Sequence, residues 1–245
     1  MSFRVIIPAR LGSSRLPNKP LKDIEGKTLI QRVVDQAKKS NAKSVHVATD
    51  SNQIIDHCSQ IGADAILTKV DHHTGTDRLS ESCEILKFKS DELIINVQGD
   101  EPFIDPRDID NLAVLADSRA ANMVTLYTDL ITDEVIDRNV VKLWIKSQNK
   151  VKDFSRNETH LEPSMAKKHL GIYGYRVNFL HTFVQWKQSK NEIDRNLEQM
   201  RAMDNGEDIF AIKSSGQHHL GVDTESDLQR AIEIAKKLLL SLIHI

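Results

Sequence analysis

Val5-Ile6-Ile7-Pro8-Ala9-Arg10-Leu11-Gly12-Ser13-Ser14-Arg15-Leu16-Pro17-Asn18-Lys19-Pro20 joins an apolar run to a basic, hydroxyl-rich turn. The run Val5–Pro8 reads as a buried strand, and the residues after it as the loop that leaves the strand. In that loop Arg10, Arg15 and Lys19 are fixed cations, and Ser13 and Ser14 are small polar groups. Such a loop suits a polyphosphate, because backbone N–H groups reach its oxygens and the cations neutralise them. Taken alone, the same residues are equally consistent with an ordinary surface loop. The rest of the chain decides between the two.

Outward from this stretch, apolar runs alternate with amphipathic ones. Leu29–Ala37 carries Leu29, Ile30, Val33, Val34 and Ala37 on one helical face. Strands are expected at Ser44–Ala48, Ala65–Leu67 and Leu93–Val97. Helices are expected at Asn52–Ile61, stopped by Gly62, and at Asp77–Leu86 and Pro106–Leu115. This alternation predicts an α/β fold with a mainly parallel, doubly wound sheet. The second half is less regular. Met123–Leu126, Val140–Trp144, His169–Tyr175 and Ile209–Ile212 read as strands. Glu192–Met203 reads as a helix, and Glu225–Leu239 as a terminal helix introduced by Thr224. No linker or repeat divides the chain, so one domain over residues 1–245 is expected, with a less regular lobe at about Asp129–Asn205.

Composition narrows the partners. The chain has 245 residues, with 33 Lys+Arg against 35 Asp+Glu. The near balance gives no electrostatic reason to expect a nucleic acid or an anionic membrane. The N-terminal apolar run is too short for a signal peptide, and no stretch is long enough to span a bilayer. The apolar tail Leu238–Ile245 fits packing against its own domain or a second chain. A cytoplasmic enzyme is expected. Cys58 and Cys83 share no metal-ligand spacing and read as reduced core thiols.

Parallel sheets bind ligands at the carboxyl ends of their strands. The polar residues of interest fall there, in Ala9–Pro20, Thr49-Asp50, Thr68–Arg78, Gln98–Pro102 and Gly221-Val222-Asp223. Asp100 follows an apolar strand through Gln98-Gly99 and is a natural Mg²⁺ ligand beside a phosphate loop. A turn-capping role is its plain alternative. Asp223 is a second metal candidate, although Asp223 or Thr224 could equally cap the last helix. The metal reading requires Asp100 and Asp223 to converge within a few Å. His72 and His73 suggest zinc at first sight, but adjacent loop residues rarely chelate one ion, and His218-His219 has no third ligand. As a strand, His169–Arg176 would send His169, Gly171, Tyr173 and Tyr175 to one side. That face fits either a pocket or plain sheet packing. The chain has no nucleophile elbow, Walker A sequence or Gly-x-Gly-x-x-Gly.

Several motifs occur in order along nearly the whole chain. They are Ile7-Pro8-Ala9-Arg10, Ser13-Ser14-Arg15-Leu16-Pro17 with Lys19-Pro20-Leu21, Asp71-His72 with Gly75-Thr76 and Arg78, and Val97–Pro102. They continue with Phe154-Ser155-Arg156, His169–Arg176, Leu197-Glu198-Gln199 and Gly221-Val222-Asp223-Thr224. Together they resemble the 3-deoxy-manno-octulosonate (Kdo) cytidylyltransferase family.

The resemblance implies a nucleotide-diphosphosugar-transferase fold, related to glycosyltransferase A, with a three-layer α/β/α arrangement and a homodimer. It implies CTP and a 3-deoxy-octulosonate-type sugar acid as substrates, Mg²⁺ as cofactor, and a role in lipopolysaccharide synthesis. By the same resemblance, Arg10 and Lys19 hold the triphosphate, while Ser13, Ser14 and Arg15 shape the loop. Thr74, Gly75 and Arg78 lie by the cytosine, and Asp100 and Asp223 bind metal. Gln98, Arg156, His169, Tyr173, Glu198 and Gln199 line the sugar pocket.

Four departures from the family pattern stand out: Asn18 where Gly is usual, the short segment Asn157–Lys168, Arg195-Asn196, and Gln217-His218-His219. Those on the sugar side leave room for an altered octulosonate such as the 8-amino analogue. A sialic- or legionaminic-type acid is a further alternative. A non-catalytic nucleotide-binding protein on this scaffold would be expected to have lost a metal carboxylate or a triphosphate cation, and Arg10, Lys19, Asp100 and Asp223 are all present.

Overall fold

The opening run is strand β1 (Phe3–Ala9) in the computed structural model, which describes residues 2–72, 74–157 and 162–243. His73, part of the short segment 157–168 and the last two tail residues therefore lie outside the described residues. β1 sits between β4 (Val45–Thr49) and β6 (Leu93–Asn96), parallel to both. β5 (Asp64–Leu67) extends the parallel edge beside β4. On the other side β6 pairs antiparallel with β10 (Lys167–Arg176), which pairs antiparallel with β7 (Met123–Asp129). β11 (Ile209–Lys213) runs parallel to β7. Among the described residues the sheet has nine strands in the order β11-β7-β10-β6-β1-β4-β5, with β8 (Lys142–Ile145) and β9 (Val151–Ser155) attached beside β10. A separate two-stranded ribbon, β2 (Asp23–Ile24) with β3 (Lys27–Thr28), follows the opening loop.

The strands alternate, so each face of the sheet has its own core. Phe3, Val5 and Ile7 of β1 point into one, with Leu93 and Ile95 of β6 and the helices α1 (Leu29–Ala37), α2 (Asn52–Gln60) and α4 (Pro106–Ser118). Ile6 and Ile94 point into the other, with α3 (Gly75–Ile85), α5 (Val177–Gln185) and α7 (Met200–Asp204). Helices on both faces of a mostly parallel sheet make the expected three-layer α/β fold. The five apolar residues of α1 are all buried, as their helical spacing requires. Fully burying each large aliphatic side chain contributes about 1.5–3 kcal/mol. Cys58 and Cys83 are buried free thiols, and burial raises their pKa to about 11 and about 12.

Besides the short β2–β3 ribbon, which the sequence reading did not foresee, three elements differ from it. β9 and α5 had no counterpart in it. The single helix expected at Glu192–Met203 is two, α6 (Lys190–Arg195) and α7, separated at Asn196 in the left-handed region (φ 52°). The break has a visible cause. Glu192 and Arg201, both buried, form a two-point ion pair of 2.5 and 2.8 Å across the turn. A continuous helix would put residues nine apart on different faces, about 13 Å apart along the axis. The terminal helix α8 (Glu225–Ile243) is capped by Thr224, which exchanges bonds with Asp227. No helix among the described residues is long and apolar enough to cross a membrane.

Candidate active site

A third, smaller apolar cluster lies beneath the carboxyl ends of β1 and β6. Leu16 from the opening loop, Phe103 from the loop after β6, and Leu220 and Val222 from the loop before α8 pack there with Leu228 and Ala231 of α8. Each of these three loops carries one of the charged candidates. Burying their apolar residues together brings Lys19, Asp100 and Asp223 to one place. A backbone bond from Val222 N–H to the Asp100 carbonyl (2.9 Å) ties two of the loops directly. Gly99 is required at this crossing, since a Cβ there would lie 2.7 Å from the Pro8 carbonyl oxygen.

The result is a cleft of about 530 Å³ lined by Arg10, Ser13, Ser14, Arg15, Lys19, Thr74, Gly75, Arg78, Gln98, Asp100 and Asp223, among others. Lys19 lies in a short 3-10 turn (Lys19–Leu21) entered through Asn18 at φ 54°. Asn tolerates this left-handed conformation better than most non-glycine residues, which explains how it replaces the expected Gly. The Lys19 Nζ donates to Asp100 Oδ2 at 2.8 Å and to Asp223 Oδ1 at 2.9 Å. Burial alone would lower the Lys19 pKa, but the two carboxylates hold it above its ordinary value. Burial pushes Asp223 up, yet Lys19 and Arg15 outweigh it and hold its carboxyl below the usual range. Arg15 reaches Asp223 Oδ2 at 3.1 Å. Because Thr224 caps α8, Asp223 is left to the cleft.

Arg10 is exposed and makes no ion pair among the described residues, so its guanidinium is available to an anion. The Ser13 hydroxyl accepts from Leu16 N–H (3.2 Å) and shapes the loop, while Ser14 is exposed. Thr74 forms a capping box with Asp77 at the start of α3, presenting Gly75 to the cleft. Arg78 is buried. It is paired with Asp50 at 2.7 Å and bonded to the Thr68 hydroxyl, so it anchors the loop after β5. Asp50 leaves β4, and that position at a strand exit was the only sequence sign of this partnership. His72 pairs with Glu81 (2.5 Å), and no group of three metal-ligating side chains occurs among the described residues.

The sugar-side candidates form a second, more enclosed group. Gln98 bridges to it, donating to the Gly171 carbonyl at 3.1 Å. Tyr173 is buried between His169 and Tyr175, with ring centroids 5.3 and 5.7 Å away. His169 meets Thr125 Oγ1 at 3.0 Å, and burial followed by the Arg156 charge drops its pKa to about 3. Arg156 donates to the carbonyls of Asn139 (3.3 Å) and Asn196 (3.4 Å). Glu198 lies in the break between α6 and α7, where its Oε2 accepts from Thr76 Oγ1 at 2.7 Å. Its Oε1 is buried with no hydrogen-bond donor but has Arg201 Nη2 3.8 Å away, and burial raises the pKa of the carboxyl. Gln199 is buried at the start of α7. Thr76 follows the cleft-lining Gly75, so Glu198 stands directly behind the cleft wall. Arg156, His169, Tyr173, Glu198 and Gln199 do not line the cleft itself.

Sequence reasoning missed Glu101, whose pKa is lifted to about 7 by burial and by neighbouring Asp100. It also missed the apolar cluster under the loops. Leu16, Phe103 and Val222 are isolated in the sequence and carry no periodic signal.

Parallel strands β1 and β6 and the loop before α8 bring a cationic loop and two convergent carboxylates into one open cleft, an arrangement suited to nucleotidyl transfer. A family model described as cytidylyltransferase matches residues 4–209. The chain is 40% identical over 247 residues to the 3-deoxy-manno-octulosonate cytidylyltransferase of Saccharophagus degradans, covering 94% of this chain and 97% of that one. It is 41% identical over 238 residues to the protein of the same name from Proteus mirabilis, covering 92% and 94%. A solved CMP:2-keto-3-deoxy-manno-octonic acid synthetase complexed with CTP superimposes with a TM-score of 0.89 at 35% identity, over 97% of this chain and 99% of that one. A putative glucose-1-phosphate thymidylyltransferase from Bacillus anthracis shares the fold, with a TM-score of 0.69 at 19% identity over 96% and 95% of the two chains. The chain belongs to the 3-deoxy-manno-octulosonate cytidylyltransferase family.

Proposed function

We propose that this chain transfers the cytidylyl group of CTP to 3-deoxy-manno-octulosonate, or to a close analogue, giving the CMP-sugar and pyrophosphate for lipopolysaccharide synthesis. The convergence of Lys19, Asp100 and Asp223 beside the Arg10 loop is the observation that carries this reading. In the reaction the anomeric oxygen forms a bond to the α-phosphorus, the bond from that phosphorus to the β-phosphate bridge breaks, and the hydroxyl proton is lost to solvent. Such transfers depend on positioning and on charge stabilisation more than on a covalent nucleophile. Arg10 and the backbone of the opening loop bind the phosphates. The first turn of α3, through Gly75, bounds the nucleoside side.

The donor set fits Mg²⁺, which takes oxygen ligands and is commonly held by one or two carboxylates plus substrate phosphates. Asp100 and Asp223 are the carboxylates within reach of a single cation. When bound there, Mg²⁺ supplies charge to the phosphates and lowers the pKa of the attacking hydroxyl.

Glu198, whose Oε1 makes no hydrogen bond and has Arg201 Nη2 3.8 Å away, places a carboxylate in the sugar-side group, and a carboxylate there supports a cationic amine on the sugar and so the 8-amino-3,8-dideoxy analogue as a substrate. Ile131, Ile136, Met165 and Ile193 are exposed apolar residues of the lobe and support a homodimer that covers them. The test is pyrophosphate release with each nucleoside triphosphate against a panel of sugar acids. Turnover confined to CTP with an octulosonate is expected. Turnover with sialic or legionaminic acid instead would replace the sugar assignment, and release with no sugar acid at all would end it.

A further inference from the structure

Lys19 occupies the locus between the two proposed metal carboxylates. Its ammonium lies within 2.9 Å of an oxygen from each, and its side chain is only 16% exposed. A divalent cation held by the same two carboxylates would need the space the ammonium fills. Ion and ammonium would then be in contact with like charge, so one excludes the other.

We propose that Lys19 is an internal stand-in cation: it holds Asp100 and Asp223 together while the nucleotide is absent, and it gives up that place when metal and triphosphate arrive together. This rests on the reading of Asp100 and Asp223 as metal ligands. Without a cation between them, two convergent carboxylates repel each other. The ammonium removes that repulsion and keeps the carboxylates in place. The backbone of Lys19 is fixed by the 3-10 turn and its flanking Pro17 and Pro20, but its four-carbon stem is flexible. The ammonium can therefore turn toward the cleft, which the Arg10 loop also lines, while the main chain stays still. Arg15 pairs with the other oxygen of Asp223 and can remain there.

Two consequences follow for binding. A free divalent ion must evict Lys19 with nothing to receive the displaced ammonium, so it binds weakly. A metal–triphosphate complex provides phosphate oxygens that accept the ammonium, so it binds well. Lys19 thus couples metal entry to nucleotide entry.

The test is a Mn²⁺ titration of the full chain without nucleotide, followed by electron paramagnetic resonance. Lys19→Met is expected to bind Mn²⁺ at least tenfold more tightly than the unaltered protein, and Lys19→Arg, which keeps a cation in place, to bind it as weakly. Adding Asp100→Asn to Lys19→Met is expected to remove the gain. Circular dichroism melts confirm that the variants compared are folded. Equal or weaker Mn²⁺ binding by folded Lys19→Met overturns the stand-in role while leaving the metal assignment intact. Should Lys19→Met bind Mn²⁺ tightly and Asp100→Asn change nothing, the ion lies elsewhere, and both the stand-in role and the metal assignment fall.

Discussion

The open cleft and the enclosed aromatic region behind it are built in opposite ways. The cleft after β1 and β6 is open and charged, and its groups come from loops pinned by a small apolar cluster. Arg10 has no ion-pair partner there among the described residues, and Lys19, Asp100 and Asp223 are held in one compact ion group. The region around β9, β10 and the α6–α7 break is closed and aromatic. Its polar groups are half-buried or buried and mostly satisfied within the protein: His169 by Thr125, Arg156 by backbone carbonyls, Glu192 by Arg201. The first region can lose a side chain without losing the fold. In the second, the polar side chains are part of what holds the fold. The contrast separates affinity effects from folding effects in experiment.

Arg201→Met tests the closed region hardest. It leaves Glu192 as a buried charge without its partner, which costs about 3–5 kcal/mol. Urea unfolding should show that loss, while turnover per folded molecule stays within a few-fold. A stability change under 1 kcal/mol would mean the pair is not what breaks the helix.

Arg10→Ala probes the open region. The KM for CTP should rise about 10–100-fold, equivalent to ~1.4–2.7 kcal/mol. The urea midpoint should not move. A shift in stability comparable to that of Arg201→Met would erase the distinction between the two regions.

The pH dependence of stability should report on His169. Its pKa is about 3 when folded and near 6.5 when unfolded, so the unfolded chain binds the extra proton. The stabilising contribution is present at neutral pH and is lost as pH falls from about 6.5 toward 3. Between pH 7 and pH 5 the loss should be about 1–2 kcal/mol, and His169→Asn should flatten that part of the curve. An unchanged slope in the variant would place the titration on another group.

Glu198→Gln gives the smallest effect and the finest discrimination. It should raise the KM for an amino-octulosonate about tenfold and leave the KM for CTP unchanged, because the carboxylate charge on the sugar side is lost while the cleft keeps its own charged groups. Equal changes for both octulosonates would remove the amine preference.

Much of the open region was readable in the sequence. Val5–Pro8, Leu93–Val97 and the loops after them announce themselves through apolar runs that end in charged residues. The expected convergence of Asp100 and Asp223 appears in the structure, with Lys19 between them. Two things were not readable there. Arg78 lines the cleft and is also anchored on Asp50, a partnership a lone Arg does not announce. The cluster of Leu16, Phe103, Leu220 and Val222 joins residues more than 200 positions apart and has no local period. In the closed region the helical pattern of Glu192–Met203 concealed a break imposed by the Glu192–Arg201 pair, since tertiary contacts override local propensity. Strand β9 was hidden by its charges, as Lys152 and Asp153 interrupt its apolar alternation.

The central claim is that Asp100 and Asp223 act together with the opening basic loop on the triphosphate. Phosphorus-31 NMR of CTP mixed with an octulosonate and saturating Mg²⁺ tests it most directly. The unaltered chain should convert the three CTP signals into one phosphodiester and pyrophosphate, while Asp100→Asn and Asp223→Asn, folded by their melting curves, leave CTP intact on the same timescale, a loss of about 10³-fold or more. Near-normal conversion by either variant would contradict the account.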